Sequence, residues 1–226
     1  MLIVGFPAAA FDTNCFVVAR APGEQCVVVD PGVSVVDRLD AVLDEHRLAP
    51  AAVLLTHGHL DHTFSVTPVC GARDIPAYIH PEDSHLLDDP MRGLSPQTRS
   101  FFGGRLDWTR PDDVLPLVDG QVLSIVGLEL TVDHAPGHTR GSVVFRLPAD
   151  VVEGVPPLMF SGDLLFAGSI GRTDLPGGDH DRNTGGARGT GEILGGCPGR
   201  YSKQQCGQQG REPDGAAHGR RIVPRV

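Results

Sequence analysis

The hexapeptide His57-Gly58-His59-Leu60-Asp61-His62 brings three imidazoles and a carboxylate together, directly behind the apolar run Ala51-Ala52-Val53-Leu54-Leu55. Neutral imidazole nitrogens and carboxylate oxygens are the donors that divalent first-row metals accept in hydrolytic centres, which keep one position open for water or substrate. Buried without a cation, the same groups would need hydrogen-bond partners for three rings and a counterion for one carboxylate. The spacing therefore points to a metal centre at the end of a strand.

Two further groups sit in matching places. His138 lies in the turn Ala135-Pro136-Gly137-His138-Thr139-Arg140, behind the alternating stretch Leu128-Glu129-Leu130-Thr131-Val132. Asp163 closes Pro157-Leu158-Met159-Phe160-Ser161-Gly162-Asp163, another apolar run entering a glycine turn. Polar groups delivered by the ends of separate strands can converge on one rim of a sheet sandwich, where rigid scaffolds present their chemistry.

Together with Val29-Asp30-Pro31-Gly32, Ser161-Gly162-Asp163 and Gly168-Ser169-Ile170-Gly171-Arg172-Thr173-Asp174, these residues resemble the metallo-β-lactamase fold superfamily. The stretch from Met1 to about Gly178 is most similar to its glyoxalase II-like branch. The resemblance implies an α/β fold, a four-layer αββα sandwich with metals held between the sheet edges. Carried over position by position, it assigns one metal to His57, His59 and His138, a second to Asp61 and His62, and a bridge between them to Asp163. Asp61 and Asp163 are the carboxylates it places in the catalytic centre. It implies zinc, as one or two ions, and a mixed histidine and carboxylate set also accepts iron or manganese.

The activity implied is metal-dependent cleavage of a small-molecule thioester, such as a 2-hydroxyacyl conjugate of a low-molecular-weight thiol. A water deprotonated by the metals attacks the carbonyl, so no Ser or Cys nucleophile is required. Two other outcomes stay open. One is a persulfide dioxygenase of the same superfamily, with a single iron on His57, His138 and Asp163; the other is a catalytically impaired product. The second is raised by a departure from the family pattern, which asks for one more histidine in a Pro-Gly-His-Gly turn well after the bridging aspartate. This chain has no such turn.

The departure coincides with a change in the character of the text. Residues 179–226 show neither helical nor strand periodicity and carry eight Lys and Arg against five Asp and Glu, whereas residues 1–178 carry 11 against 23. Gly-, Arg- and Gln-rich sequence with few apolar residues buries too little surface to offset the entropy of ordering. The expectation is one domain over 1–178, incomplete at its C-terminal end, followed by a disordered tail that reads as an out-of-frame segment beginning near Asp181.

Elsewhere the pattern predicts strands near 2–6, 13–20, 25–30, 52–56, 77–79, 121–126, 128–133, 142–147 and 157–161. Ser34 is a candidate cap for a helix over Val35 to Arg47, and a helix after Asp61 is expected to carry Phe64 toward the core. Pro81 suits a first helical turn. Residues 86–113 read as a long, partly irregular segment, either a lid or binding element or a solvated insertion. The formal charge of −9 argues against a nucleic-acid partner. Five cysteines with no Cys-x-x-Cys pair read as free thiols of a reducing compartment, and the lack of a membrane-length apolar run or a basic leader makes a cytoplasmic location the default.

Overall fold

The computed structural model describes residues 1–101, 103, 106–148, 158–166 and 169–185. The first sheet begins with the antiparallel strands β1 (Leu2–Pro7), β2 (Asn14–Ala19) and β3 (Gln25–Val29) and continues in parallel through β4 (Ala49–Leu54), β5 (Ala77–Ile79) and β6 (Val114–Pro116), in that order. Parallel neighbours need crossovers. These are α1 (Val36–His46), then α2 (Leu60–Thr63) with α3 (Val66–Gly71), then α4 (Pro81–Asp88) with α5 (Pro96–Phe101).

The second sheet is an antiparallel meander of β7 (Val122–Ile125), β8 (Leu128–His134), β9 (Val143–Leu147) and β10 (Leu158–Phe160), ordered β10-β9-β8-β7. A short hairpin of β11 (Leu165–Phe166) and β12 (Ser169–Ile170) follows.

The two cores explain why β3 and β4 are uninterrupted apolar runs, since central strands covered on both faces have no polar side to show. Val28 and Val53 pack with Leu39, Val42 and Val69 of the helices, whereas Val27, Val29 and Leu54 face Leu130, Val132 and Phe145 of the second sheet. On the outer face of the second sheet, Val144 packs with Ala135 and Leu164, and Arg146 grips Asp133 through two hydrogen bonds of 2.7 and 2.9 Å. Among the described residues the architecture is thus a helical layer, two sheets and a thinner outer layer.

Several local expectations need correction. Ser34 does not cap α1: it sits at φ +57°, and the helix starts from Val35 with no side-chain cap. Phe64 does not enter the core but is 38% exposed. The segment 86–113 is more regular than expected, holding the end of α4, a 3-10 turn over Pro90–Gly93 and α5. Pro81 does open α4. Cys15, Cys26 and Cys70 are buried free thiols; Cys197 and Cys206 lie outside the described residues.

The packed chain also runs past Gly178. Residues 180–185 form a helical turn. Asp179 N donates to Gly137 O at 2.7 Å, and the fully buried Asn183 donates its side-chain amide to Gly171 O at 3.1 Å. The expected disorder of 186–226 lies outside the described residues. Gly137 (φ +153°) has no room for a side chain, because an added Cβ would overlap the backbone of Asn183. Gly137→Ala is expected to displace this turn and lower stability by about 2 kcal/mol, as overpacking generally does; urea unfolding at unchanged slope measures it.

Candidate metal centre

Every histidine and aspartate singled out in the sequence arrives at one rim of the sandwich. His57 follows the end of β4, where Thr56 O accepts from Val143 N at 2.8 Å and ties β4 to β9. His59, Asp61 and His62 lie at the start of α2, His138 on the β8–β9 turn, and Asp163 in the 3-10 turn Gly162–Leu164 beyond β10. His57, His59, His62 and His138 are buried, whereas the side chain of Asp163 is 29% exposed.

The ring centroids of His57 stand 4.9 Å from His59, 4.1 Å from His62 and 4.7 Å from His138. Donor atoms form two overlapping groups, each within 4.8 Å: His57, His59 and His138, and His57, His62 and Asp163. Asp163 reaches both, with Oδ1 3.2 Å from His62 Nε2 and Oδ2 3.6 Å from His138 Nε2. Asp61 belongs to neither group; its Oδ2 lies 3.5 Å from His62 Nε2 and accepts from the Thr13 hydroxyl at 2.9 Å.

Hydrogen bonding fixes which nitrogen three of the rings present. Thr56 Oγ1 gives its proton to Asp30 Oδ2 at 2.7 Å, so at 3.1 Å it accepts from His57 Nδ1. His62 Nδ1 donates to the same Asp30 oxygen at 3.0 Å, and His138 Nδ1 donates to Arg172 O at 2.7 Å. A ring that donates from Nδ1 offers a lone pair on Nε2, the arrangement that orients metal-binding histidines. The remaining ring turns Nδ1 of His59 to within 2.8 Å of His138 Nε2. The Nε2 atoms of His57, His59 and His62 are buried with no hydrogen-bond partner among the described residues. Leaving such polar atoms unmatched is costly, and a cation is the ligand their chemistry fits.

Electrostatics prepare the same state. Burial, reinforced by the neighbouring rings His62, His138 and His59, holds His57 well below the ordinary histidine value; burial with His138 and His62 lowers His59 to about 3. Burial also lowers His138, although Asp163 opposes it. For His62 burial acts downward too, but the carboxylates of Asp163, Asp30 and Asp61 outweigh it and raise the ring well above its usual value. Asp163 is held below the ordinary carboxylate range because His62 and His138 outweigh its burial. The rings of His57, His59 and His138 are therefore neutral at neutral pH, whereas His62 holds a proton that a second cation would have to displace.

Two residues of the quoted motifs, Asp30 and Arg172, hold this set in place. Asp30, at φ +50°, accepts from Thr56 N, Thr56 Oγ1 and His62 Nδ1. Its sequence signal was an acid before Pro31-Gly32 at a strand end, where a short polar side chain tolerates the left-handed conformation. Arg172 contributes its carbonyl to His138, while its guanidinium pairs with Asp174 through two 2.8 Å bonds. Arg140 lines a separate surface pocket with Arg92 and Glu82. The last histidine expected from the family pattern, and its absence, concern residues outside the described ones.

Beside the centre lies a cavity of about 580 Å³, whose wall includes Phe11, Phe64, Leu94, Phe166 and Leu175 together with His59, Asp61 and Asp163. Phe64, misplaced in the sequence reading, belongs to this wall.

The family model of the metallo-beta-lactamase superfamily matches residues 8–195. The chain belongs to this superfamily. It is 45% identical over 179 residues to an uncharacterized protein of Mycobacterium tuberculosis, Rv2581c, covering 79% of each chain. Hydroxyacylglutathione hydrolase GloC of Haemophilus influenzae is 31% identical over 175 residues, 77% of each chain. Among solved structures, BLEG-1 B3 metallo-beta-lactamase superposes with a TM-score of 0.71 at 33% identity, covering 85% of this chain and 87% of that one. TTHA1623 in a di-iron-bound form superposes with a TM-score of 0.67 at 34% identity, covering 84% and 86%. The superfamily's four-layer α/β fold, expected from the motifs, is thereby shown, and metal binding and hydrolysis are its general chemistry.

Proposed function

We propose that this protein is a metal-dependent hydrolase that cleaves a low-molecular-weight thioester, with His57, His59 and His138 holding one ion and His62, Asp163 and Asp61 gathered around a second. The observation that carries the reading is the set of buried, unpaired Nε2 atoms on three rings of one cluster. Bound there, a divalent ion would activate water at neutral pH and take up the charge that develops on the acyl oxygen. His138 and His62 keep their orientation through Arg172 O and Asp30. Asp163 stands within reach of both rings as a proton acceptor on the cavity side.

A cysteine nucleophile is excluded among the described residues: burial pushes the thiols of Cys26 and Cys70 up to about 12 and Cys15 higher still, and thiolate is the reactive form. Similarity to a hydroxyacylglutathione hydrolase over most of both chains favours a thioester, and the apolar cavity wall suits an acyl or thioether arm. Zinc fits the donor set, as does iron, which the similar TTHA1623 binds as a pair.

The test is hydrolysis of 2-hydroxyacyl thioesters, followed by thiol release, with metal per chain measured on the same sample and a β-lactam offered in parallel. Chelation is expected to abolish turnover and re-addition of zinc or iron to restore it. Turnover that survives complete metal removal would refute the proposal. The proximity of His57, His138 and Asp163 also suits a single iron, the persulfide dioxygenase arrangement. Oxygen consumption with a thiol persulfide would identify that reaction instead.

A further inference from the structure

Asp83, the third residue of α4, is 1% exposed and has no basic partner among the described residues. A buried carboxylate without a cation persists only if donors saturate it. Asp83 is saturated, and all its side-chain donors come from the two loops that carry histidines. Oδ2 accepts from Gly58 N at 2.9 Å and from the Thr139 hydroxyl at 2.6 Å; Oδ1 accepts from Gly141 N at 2.8 Å. Gly58 lies between His57 and His59, and Thr139 follows His138.

An acid in a first helical turn is ordinary, because it complements the helix dipole. What is not ordinary is that neither oxygen of Asp83 serves its own helix; the free N–H of Glu82 is taken by the His80 ring at 3.3 Å. The packing is tight enough to explain the glycines at both contacts. A Cβ on Gly141 would come within 2.7 Å of Asp83 Cγ, and one on Gly58 within 2.9 Å of Leu86 and 3.0 Å of Asp83 O.

We propose that Asp83 is the positioning residue of the metal centre: its carboxylate clamps the His57-Gly58-His59 turn to the His138 loop and so sets the distance between the three rings. The inference rests on the reading of His57, His59 and His138 as ligands. It explains why a third element, contributing no ligand, buries a charge between two ligand loops. Separation of the rings is what a cation of fixed bond length senses, and partners one step behind the ligands typically change metal affinity ten- to a hundredfold.

Asp83→Asn keeps the shape but replaces one accepting oxygen with a donor, so either the Gly58 side or the Gly141 side loses its bond. Zinc affinity by chelator competition, and the visible absorption of the cobalt-substituted full chain, are read for D83N, T139V and V28A. Val28 lies in β3, paired with Val17 and Val53, and V28A serves as a control for general destabilisation. D83N is expected to bind zinc about ten- to a hundredfold more weakly with a shifted cobalt spectrum, and T139V, which removes one bond of the three, to fall between it and wild type. V28A is expected to lower the urea midpoint while binding zinc as wild type does. Should D83N fail to fold, T139V decides by the same affinity measurement. Wild-type affinity and spectrum in D83N and T139V, or equal weakening in V28A, would overturn the positioning role alone. A wild-type chain that binds no metal would overturn the ligand reading and the clamp with it.

Discussion

Replacement of His57 by Ala is expected to empty the site it shares with His59 and His138 and to loosen the second, which it borders. His57 is the one side chain common to the two donor groups, whereas His59 and His138 belong to the first and His62 and Asp163 to the second. Its Nε2 is buried and unpaired, and its Nδ1 is anchored on Thr56, so no neighbouring ring can move into its place without breaking a bond of its own. His59→Ala and His62→Ala should each remove one ion and spare part of the other site. His57→Ala should remove the first ion and weaken the hold on the second. Loss of about 4 kcal/mol of charge stabilisation by the cation corresponds to about a thousandfold fall in kcat/KM on the thioester. The fold should survive, because the β3–β4 core packs on both faces without the imidazole. Metal per chain by mass spectrometry, with near-ultraviolet circular dichroism as the check on folding, decides it. A His57→Ala protein carrying the wild-type complement of metal would take this residue out of the centre.

The ligand positions were legible because each is a polar group stranded at the end of an apolar run, and that signal survives without any knowledge of neighbours. Asp30, Thr13, Thr56 and Asp83 were not, because what marks them is a partner 25 to 58 residues away. Phe64 was misread for a related reason. An aromatic residue beside a short helix reads as core, yet Phe64 follows the last residue of α2 and lines the cavity instead. The strands β1 to β3 stood out as apolar runs, while β6 escaped notice because three residues ending in Pro116 carry no period. The ordered turn at 180–185 was hidden by composition: Asp179 and Asn183 look like loop residues, and only Gly137 O and Gly171 O on other loops give them a place.

Acidification should destabilise the metal-free protein, by an amount that separates His62 from its neighbours. His59 binds its proton near 6.5 when unfolded and only at about 3 when folded, so below pH 6.5 the unfolded chain takes up a proton that the native state refuses. Such a group lowers stability by about 2 kcal/mol between pH 7.5 and pH 5. His57 acts in the same direction, being lowered by burial and by the adjacent rings. His62 acts oppositely, since its raised value makes the folded chain the better proton acceptor, and the stability it adds is lost as pH rises through its folded value. His138, lowered by burial, acts as His57 does, so three lowered rings against one raised ring leave a net loss of stability on going from pH 7.5 to pH 5. In His62→Gln the opposing group is gone and the loss should be larger. Urea unfolding of the chelated protein at both pH values measures each quantity. A metal-free wild type as stable at pH 5 as at pH 7.5, with His62→Gln behaving alike, would mean that the rings are not held neutral. In the metal-loaded protein the same protons compete with the cations for His57 and His59, so acid should release metal over the interval in which the empty protein loses stability.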